Sequence, residues 1–232
     1  MDDMNIINHS RRHNDGPQGT SGANYGFSRS SSQLMKRSFD VLISALLLLF
    51  LAPALLALGW MASRDGGKAI YRHQRVGQNG KLFTCFKFRT MVPDAEQRLK
   101  LLLATSEQLR VDWEQDFRLD NDPRITETGQ FLRSTSLDKL PQLWNVLRGE
   151  MSLVGPRPIT AAELERYAGH ANYYLLAKPG ITGLWQVSGR KGNDYATRAH
   201  FDALYVKNWN VLADSRILCK SASELVRGKE SQ

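Results

Sequence analysis

From Val41 to Ala62 the chain reads VLISALLLLFLAPALLALGWMA, without a charge and with Ser44 as its one polar side chain. A helix that is apolar on every face needs protein or lipid all around it. The block is long enough to cross the hydrocarbon of a bilayer once. Two features argue against a plain span. Pro53 sits mid-block, where it removes a backbone hydrogen bond and kinks a helix. Lys36 and Arg37 precede the block, and Arg64, Lys68, Arg72 and Arg75 follow it. Positive charge favours the cytoplasmic side, so basic flanks at both ends suit a helix that enters, bends at Pro53 and leaves by the same face. Proline-kinked spanning helices are also stable. On the residues alone, the re-entrant and spanning paths both stay open, and a buried core helix is the third and weakest reading.

Before this block, residues 1–33 are rich in Ser, Asn, Gly and His and nearly empty of aliphatic side chains. Such a stretch cannot offset its ordering entropy and is expected to be a disordered tail. It lacks the early apolar region of a signal peptide. At 232 residues, with 42% apolar residues and five tryptophans, the remainder is long enough to bury a core. The formal charge of +8 calls for an anionic partner: nucleic acid, a lipid surface or a phosphorylated substrate. Basic and acidic residues are interspersed and no nucleic-acid motif occurs, so nucleic acid is not expected as a partner. Cys85 and Cys219 are far apart, without metal-ligand spacing, and read as ordinary thiols.

After the apolar block, Ala69 to Met91 reads as a β-hairpin around Asn79-Gly80. Leucines at helical spacing predict a helix from Asp94 to about Phe117. Further helices are predicted over Thr126–Arg133, Leu137–Leu147, Thr160–Tyr167, Tyr195–Trp209 and Asp214–Arg227. Lys178-Pro179-Gly180 and Ser188-Gly189-Arg190 read as loops. The fold class is α+β: a membrane helical hairpin (34–64), then a domain of amphipathic helices with a small β-hairpin (65–232).

The segment LRSTSLDKLPQLWNVLRGEMSLVGPRP, Leu132 to Pro158, carries the chemistry. Asp138 follows the capping residues Ser134, Thr135 and Ser136 and precedes a helical pattern; Pro141 suits a first turn. A carboxylate at a helix N-terminus is favoured in its ionised form, which would make Asp138 a competent nucleophile. By spacing alone a simple cap is the stronger reading. Arg133 and Arg157 frame the segment, with Lys87 and Arg190 elsewhere; the guanidinium fork suits phosphate, although a surface loop with a solvated charge is the plainer reading. Walker, GxGxxG, HExxH and zinc-finger patterns are all missing.

LDKLPQLWNVLRGEMSLVGPRP resembles the signature of the bacterial sugar transferase family, the monotopic polyprenyl phosphate phosphoglycosyl transferases. KRSFDVLISALLLLFLAPALL, FKFRTM, KPGITGLWQVSGR and FDALYVKNWNVLADSRIL resemble its other blocks in the same order, from about Lys36 to Ser223. The short form is most like the ExoY-type enzymes that start exopolysaccharide assembly with galactose phosphate, with glucose the nearest rival. The resemblance implies a two-step covalent route. An aspartate attacks the sugar-side phosphate of a UDP-sugar and displaces UMP, and undecaprenyl phosphate then takes the phosphosugar. The nucleophile matches Asp138. Lys87 and Arg89 of the KFR block, Arg133, Arg157 and Arg190 match phosphate-binding positions. Asp202 and Asp214 fall at acidic positions of the last block. Also implied are a re-entrant membrane helix, Mg²⁺ as cofactor, membrane lipid as a partner, and a bacterial inner-membrane location with the catalytic domain on the cytoplasmic face. Oligomeric state, a homo-oligomer included, stays open.

One position departs from the pattern. The family usually has Asp-Glu at its dyad, the glutamate helping to hold Mg²⁺; here Lys139 stands second, and a lysine cannot ligate the metal. Three readings follow. Asp138, substrate oxygens and water hold the metal with help from Asp202 or Asp214; Lys139 replaces it in part as a point charge in the catalytic site; or the chain is impaired. A non-catalytic membrane scaffold is thus the main alternative function. A glycosyltransferase moving the sugar alone is another, separated by UDP rather than UMP release.

Overall fold

The computed structural model describes residues 30–116, 119, 121–188 and 195–226, so most of the expected tail, and Arg190, lie outside the described residues. Residues 30–33 are already helical: α1 runs Ser30–Ser63 as one 34-residue helix with Pro53 inside it. Two helices joined at Pro53 are not seen. One missing hydrogen bond does not end a helix whose neighbours are strong helix formers such as Leu and Ala. At 1.5 Å per residue α1 is about 50 Å long, against a hydrocarbon core of about 30 Å. It is long and apolar enough to cross a membrane. Leu49 and Phe50 are 78% and 82% exposed and Leu56 77%, so the protein itself does not cover this helix.

The strands β1 (Ile70–Val76) and β2 (Leu82–Phe88) form the expected antiparallel hairpin, with Ile70 opposite Phe88 and Val76 opposite Leu82. Its turn places Asn79 at φ 57° and Gly80 at φ 75°, the left-handed region that Asn and Gly enter at least cost. The helix expected from Asp94 is instead two, α2 (Ala95–Thr105) and α3 (Glu107–Asp116). Ser106 between them is extended, and its hydroxyl faces the Leu109 N–H, the competition by which serine starts helices rather than continuing them. There follow α4 (Glu127–Ser134), α5 (Gln142–Arg148), β3 (Ser152–Val154), α6 (Ala161–Glu165), α7 (Ala171–Leu176), β4 (Gly180–Thr182), α8 (Leu184–Val187), α9 (Tyr195–Lys207) and α10 (Val211–Val226).

The parallel pair of β3 with β4, Ser152 opposite Gly180 and Val154 opposite Thr182, was not expected; the loop expected at Lys178-Pro179-Gly180 is present at Lys178-Pro179 and gives way to β4 at Gly180. The chains cross so closely there that a Cβ on Gly155 would lie 2.3 Å from the Lys178 carbonyl, and one on Gly183 2.2 Å from the Gly155 carbonyl. Only glycine permits that approach. The main core gathers Phe83 and Cys85 of β2, Leu143 and Val146 of α5, Leu153 and Val154 of β3, Val206 of α9 and Ile217 of α10.

Three polar residues on the first turns of α1 tie the helix to this core. Lys36 Nζ donates to Asp214 Oδ2 (2.5 Å) and to the Val154 carbonyl (3.0 Å). The same carboxylate accepts from Tyr205 Oη (2.8 Å) and Trp209 Nε1 (3.0 Å). Arg37 donates to the Val146 and Leu147 carbonyls near the end of α5, and Asp40 accepts from the Leu153 N–H. At the far end of α1, Arg89 donates through Nη2 to the Ala62 carbonyl (2.6 Å), through Nε to Lys68 (2.7 Å), and through Nη1 to Met91 (3.0 Å) and Asp65 Oδ2 (2.8 Å). A second Nη2 bond to Asp65 completes the set.

Removing one partner of a buried pair leaves an uncompensated charge, at a cost of about 3–5 kcal/mol. Asp214→Ala should lose stability of that order in urea unfolding of the detergent-solubilised protein. Lys36→Met combined with Asp214→Asn, which keeps an acceptor for Tyr205 and Trp209, should lose much less. Equal losses in the two variants would mean that Lys36 and Asp214 do not act as a unit.

Candidate functional site

Asp138 lies in the 3-10 turn Leu137–Lys139, entered through Ser136 in the left-handed region at φ 55°. A serine in that conformation costs about 1–3 kcal/mol and persists only where its surroundings over-determine it. Leu137 and Leu140 supply that constraint by packing against the core of Ala62, Phe88 and Leu132. Asp138 is thus presented from a clamped turn one step ahead of α5, rather than from a free helix end.

The neighbouring strand is pinned to the same turn. Asn145 of α5 is fully buried; its amide donates to the Thr84 carbonyl (2.7 Å) and its carbonyl accepts from the Phe86 N–H (3.0 Å). That register carries Lys87, the next residue of β2, to the vicinity of Asp138. Asn145 drew no attention as sequence, because an asparagine inside an apolar pattern gives no sign of which strand it will hold.

Lys87 and Lys139 feel the charge of the Asp138 carboxylate, and both feel Arg157 in turn. Burial lowers the Lys87 ammonium to a pKa of about 8, with Arg75 and Arg157 pushing the same way and Cys85 and Asp138 opposing. Lys139 is lowered by burial, resisted by Asp138 and aided by Arg157. Arg157 is the hub: beyond the lysines it faces Arg198, Glu163, Arg75 and Tyr167. Arg75 is neutralised by Glu163 (2.7 Å), whose own place is fixed by a capping box with Thr160.

Among the described residues, the other buried carboxylates all accept hydrogen bonds: Asp40 from Leu153, Asp122 from Arg124, Glu163 from Arg75, Asp202 from Tyr167, and Asp214 from three donors. Asp138 is 9% exposed, and no hydrogen bond or ion pair among the described residues engages it. Its oxygens are not among the fully enclosed atoms that lack a partner, so the carboxylate keeps contact with the surface and is open to a ligand.

The remaining expected site residues divide. Arg89 spends all its N–H groups on the end of α1 and its following turn, so its place is structural and the phosphate expectation is corrected. Arg133 donates through Nε to Thr90 Oγ1 (2.9 Å) and lies near Asp122. Asp214 is saturated by Lys36, Tyr205 and Trp209 beside α1 and is not available to a metal. Asp202 is 2% exposed and is pushed up to about 7 by burial, against Tyr167, Arg198 and Arg157. The metal set expected from Asp138, Asp202 and Asp214 is therefore not assembled, and no group of three metal-ligating side chains occurs among the described residues. Asp138 alone is free to meet a cation. Sequence reasoning passed over Arg75 and Arg198, whose approach to Arg157 depends on packing between β1, α9 and the turn after β3.

The family model for bacterial sugar transferases matches residues 31–228. The undecaprenyl-phosphate galactose phosphotransferase of Salmonella typhimurium is 56% identical over 199 residues, covering 86% of this chain and 42% of that protein. The exopolysaccharide production protein ExoY of Rhizobium meliloti is 46% identical over 197 residues, covering 84% of this chain and 87% of that protein. The UDP-glucose:undecaprenyl-phosphate glucose-1-phosphate transferase of Escherichia coli is 36% identical over 196 residues, covering 81% and 39%. The chain thus spans about two fifths of some of these relatives and most of the length of ExoY.

With a pKa of about 8, Lys87 is charged below that pH and neutral above it. Affinity for inorganic pyrophosphate, measured by calorimetry from about pH 7 to 9, should fall as pH rises through about 8. Lys87→Arg should keep its affinity to higher pH. A flat wild-type profile, or the same decline in Lys87→Arg, would place the titrating group elsewhere.

Proposed function

The chain belongs to the bacterial sugar transferase family, and from that premise we propose that it transfers a sugar 1-phosphate, galactose 1-phosphate first, from a UDP-sugar to undecaprenyl phosphate. The observation that carries the reading is Asp138, a largely buried carboxylate engaged by no hydrogen bond among the described residues and electrostatically coupled to Lys87 and Lys139.

In the first step an Asp138 oxygen attacks the phosphorus next to the sugar. The bond from that phosphorus to the bridging oxygen breaks, and the oxygen leaves on UMP. In the second, a phosphate oxygen of the carrier attacks the same phosphorus, the aspartyl–phosphorus bond breaks, and the carboxylate is restored. Two easier displacements replace one difficult one. Lys87, Lys139 and Arg157 neutralise the diphosphate and the charge that gathers on the leaving UMP; Arg133 and Arg190 remain phosphate candidates from the resemblance. Mg²⁺ arriving with the diphosphate would have Asp138 as its protein ligand and would add Lewis-acid polarisation. Lys139 holds positive charge beside the nucleophile whether or not the metal is bound.

The carrier's isoprenoid stays in lipid, so the reaction belongs at the headgroup level of the inner membrane, with the domain after α1 on the cytoplasmic face. A re-entrant path for α1, bending at Pro53, keeps both basic flanks on that face. The names of the Salmonella and Rhizobium relatives support the galactose and exopolysaccharide parts of the proposal.

Membranes holding the wild type should release UMP from UDP-galactose when undecaprenyl phosphate is present, and Asp138→Asn should lose at least about a thousandfold in rate. Labelled sugar phosphate should stay on the denatured wild-type chain and not on the variant. Equal UMP release by both would exclude Asp138 as nucleophile; UDP in place of UMP would point to simple sugar transfer. For the membrane path, Pro53→Leu should move one flank across the bilayer, so that single cysteines at positions 32 and 66 label from opposite sides. Same-side labelling of the variant, or opposite-side labelling of the proline-containing chain, would remove Pro53 from that role.

A further inference from the structure

Arg198, on α9, is 3% exposed. Its Nε is fully enclosed and has no hydrogen-bond partner, and neither a hydrogen bond nor an ion pair engages its guanidinium among the described residues. The group lies over two aromatic rings, its carbon 5.1 Å from the Tyr195 centroid and 5.9 Å from that of Trp185. These rings fix the plane of the guanidinium without consuming any N–H, since cation–π contact uses the face and leaves the edge donors free.

Its charged surroundings make the arrangement more unusual. Asp202 follows one turn later on α9, the spacing at which opposite charges normally pair. Yet its carboxylate is held by Tyr167 Oη at 3.0 Å and makes no ion pair with Arg198. Glu163, the other acid of this region, is taken by Arg75. The Arg157 guanidinium feels the charge of Arg198 most strongly among its charged neighbours, and it likewise makes no side-chain hydrogen bond among the described residues. Two guanidiniums, one of them enclosed, thus influence each other in a region whose acids, Asp202 and Glu163, form no side-chain ion pair with either. Like charges are brought together in this way only when something anionic completes the set.

Resting on the transferase reading above, we propose that Arg198 is a binding residue for the donor's diphosphate, sharing it with Arg157. Each guanidinium offers a planar fork that matches two oxygens of one phosphate. Trp185 and Tyr195 are positioning residues that hold the Arg198 fork in its plane. Asp202 accepts from Tyr167 Oη and pairs with neither guanidinium through its side chain, which leaves both forks to the ligand. The division of labour is then spatial: Lys87 and Lys139 attend the phosphorus that meets Asp138, and the arginine pair holds the nucleotide side as UMP departs.

The test uses the full chain in detergent and three probes, UDP, UMP and inorganic pyrophosphate, with affinity read by calorimetry and by the rise in melting temperature on ligand addition. Arg198→Gln should weaken UDP and pyrophosphate about tenfold or more, and Arg198→Lys less, because a point charge keeps the attraction and loses the fork. In turnover, KM for the UDP-sugar should rise more than kcat falls. A purely structural arginine would lower the melting temperature without ligand and leave the ligand-induced rise intact; that result would overturn the proposal. So would a loss confined to UDP and UMP with pyrophosphate unaffected, which would indicate contact with the nucleoside. If the wild type binds pyrophosphate through Arg198 yet releases no UMP from any UDP-sugar, the anion site stands and the transferase reading falls. If the wild type binds neither UDP nor pyrophosphate, both fall.

Discussion

The attachment of α1 to the rest of the protein is the constraint on which the other features depend. A helix that lipid covers on most faces gains little from the core. Its depth and rotation must therefore be set by the few polar contacts at its entrance. Lys36, Arg37 and Asp40 provide them, and their partners are well chosen. Lys36 reaches the carbonyl of Val154 and Asp40 the N–H of Leu153, both in the strand that runs directly into Gly155-Pro156-Arg157. Arg37 caps α5, the helix that follows Asp138. Asp138 and Arg157 are thereby indexed to α1 through separate bonds. A shift of α1 cannot leave one in place while moving the other.

The close crossing of β3 and β4 serves the same end. Where Gly155, Gly180 and Gly183 meet, a Cβ on any of the three would fall within 2.4 Å of a backbone atom, so the turn that presents Arg157 is held by backbone against backbone. Such contact has no soft degrees of freedom, unlike a layer of side chains. The cost is that these three positions accept no other residue without displacing the chain.

How much of this could be read in the sequence follows from the range of each interaction. The apolar block, the Asn79-Gly80 hairpin and the amphipathic helices were legible because periodicity and turn chemistry act within a few residues. The β3–β4 pair was not, since three-residue strands are too short for a period. Their glycines read as loop punctuation until their partners are known. Asp138 and the basic residues around it were located through motif resemblance. What each acid is bonded to is a property of packing, which is why Asp214 read as a metal candidate and proved to be the counter-ion of Lys36. Arg89 misled in the same way: a basic residue in a charged block looks like a phosphate ligand until its five donors are traced to Ala62, Asp65, Lys68 and Met91.

That contrast also separates two kinds of buried charge. Around α1 and along the β-hairpin, Lys36, Arg75, Arg89 and Arg124 are each matched by an acid, so these regions reach electrical balance on folding. Around Asp138 the balance is left incomplete: Lys87, Lys139, Arg157 and Arg198 are answered by one unengaged carboxylate and by Asp202, which burial holds near the edge of ionisation. Repulsion among those cations opposes folding, and the matched pairs nearby offset it by fixing the backbone that carries them. A dianionic substrate would relieve that repulsion on arrival. The relief would be greatest when negative charge shifts toward the departing phosphate, because the cations are already in position and need not reorganise. On this view Lys139 does not weaken the site. On the proposed function it would carry part of the preorganised positive charge into the turn that holds Asp138.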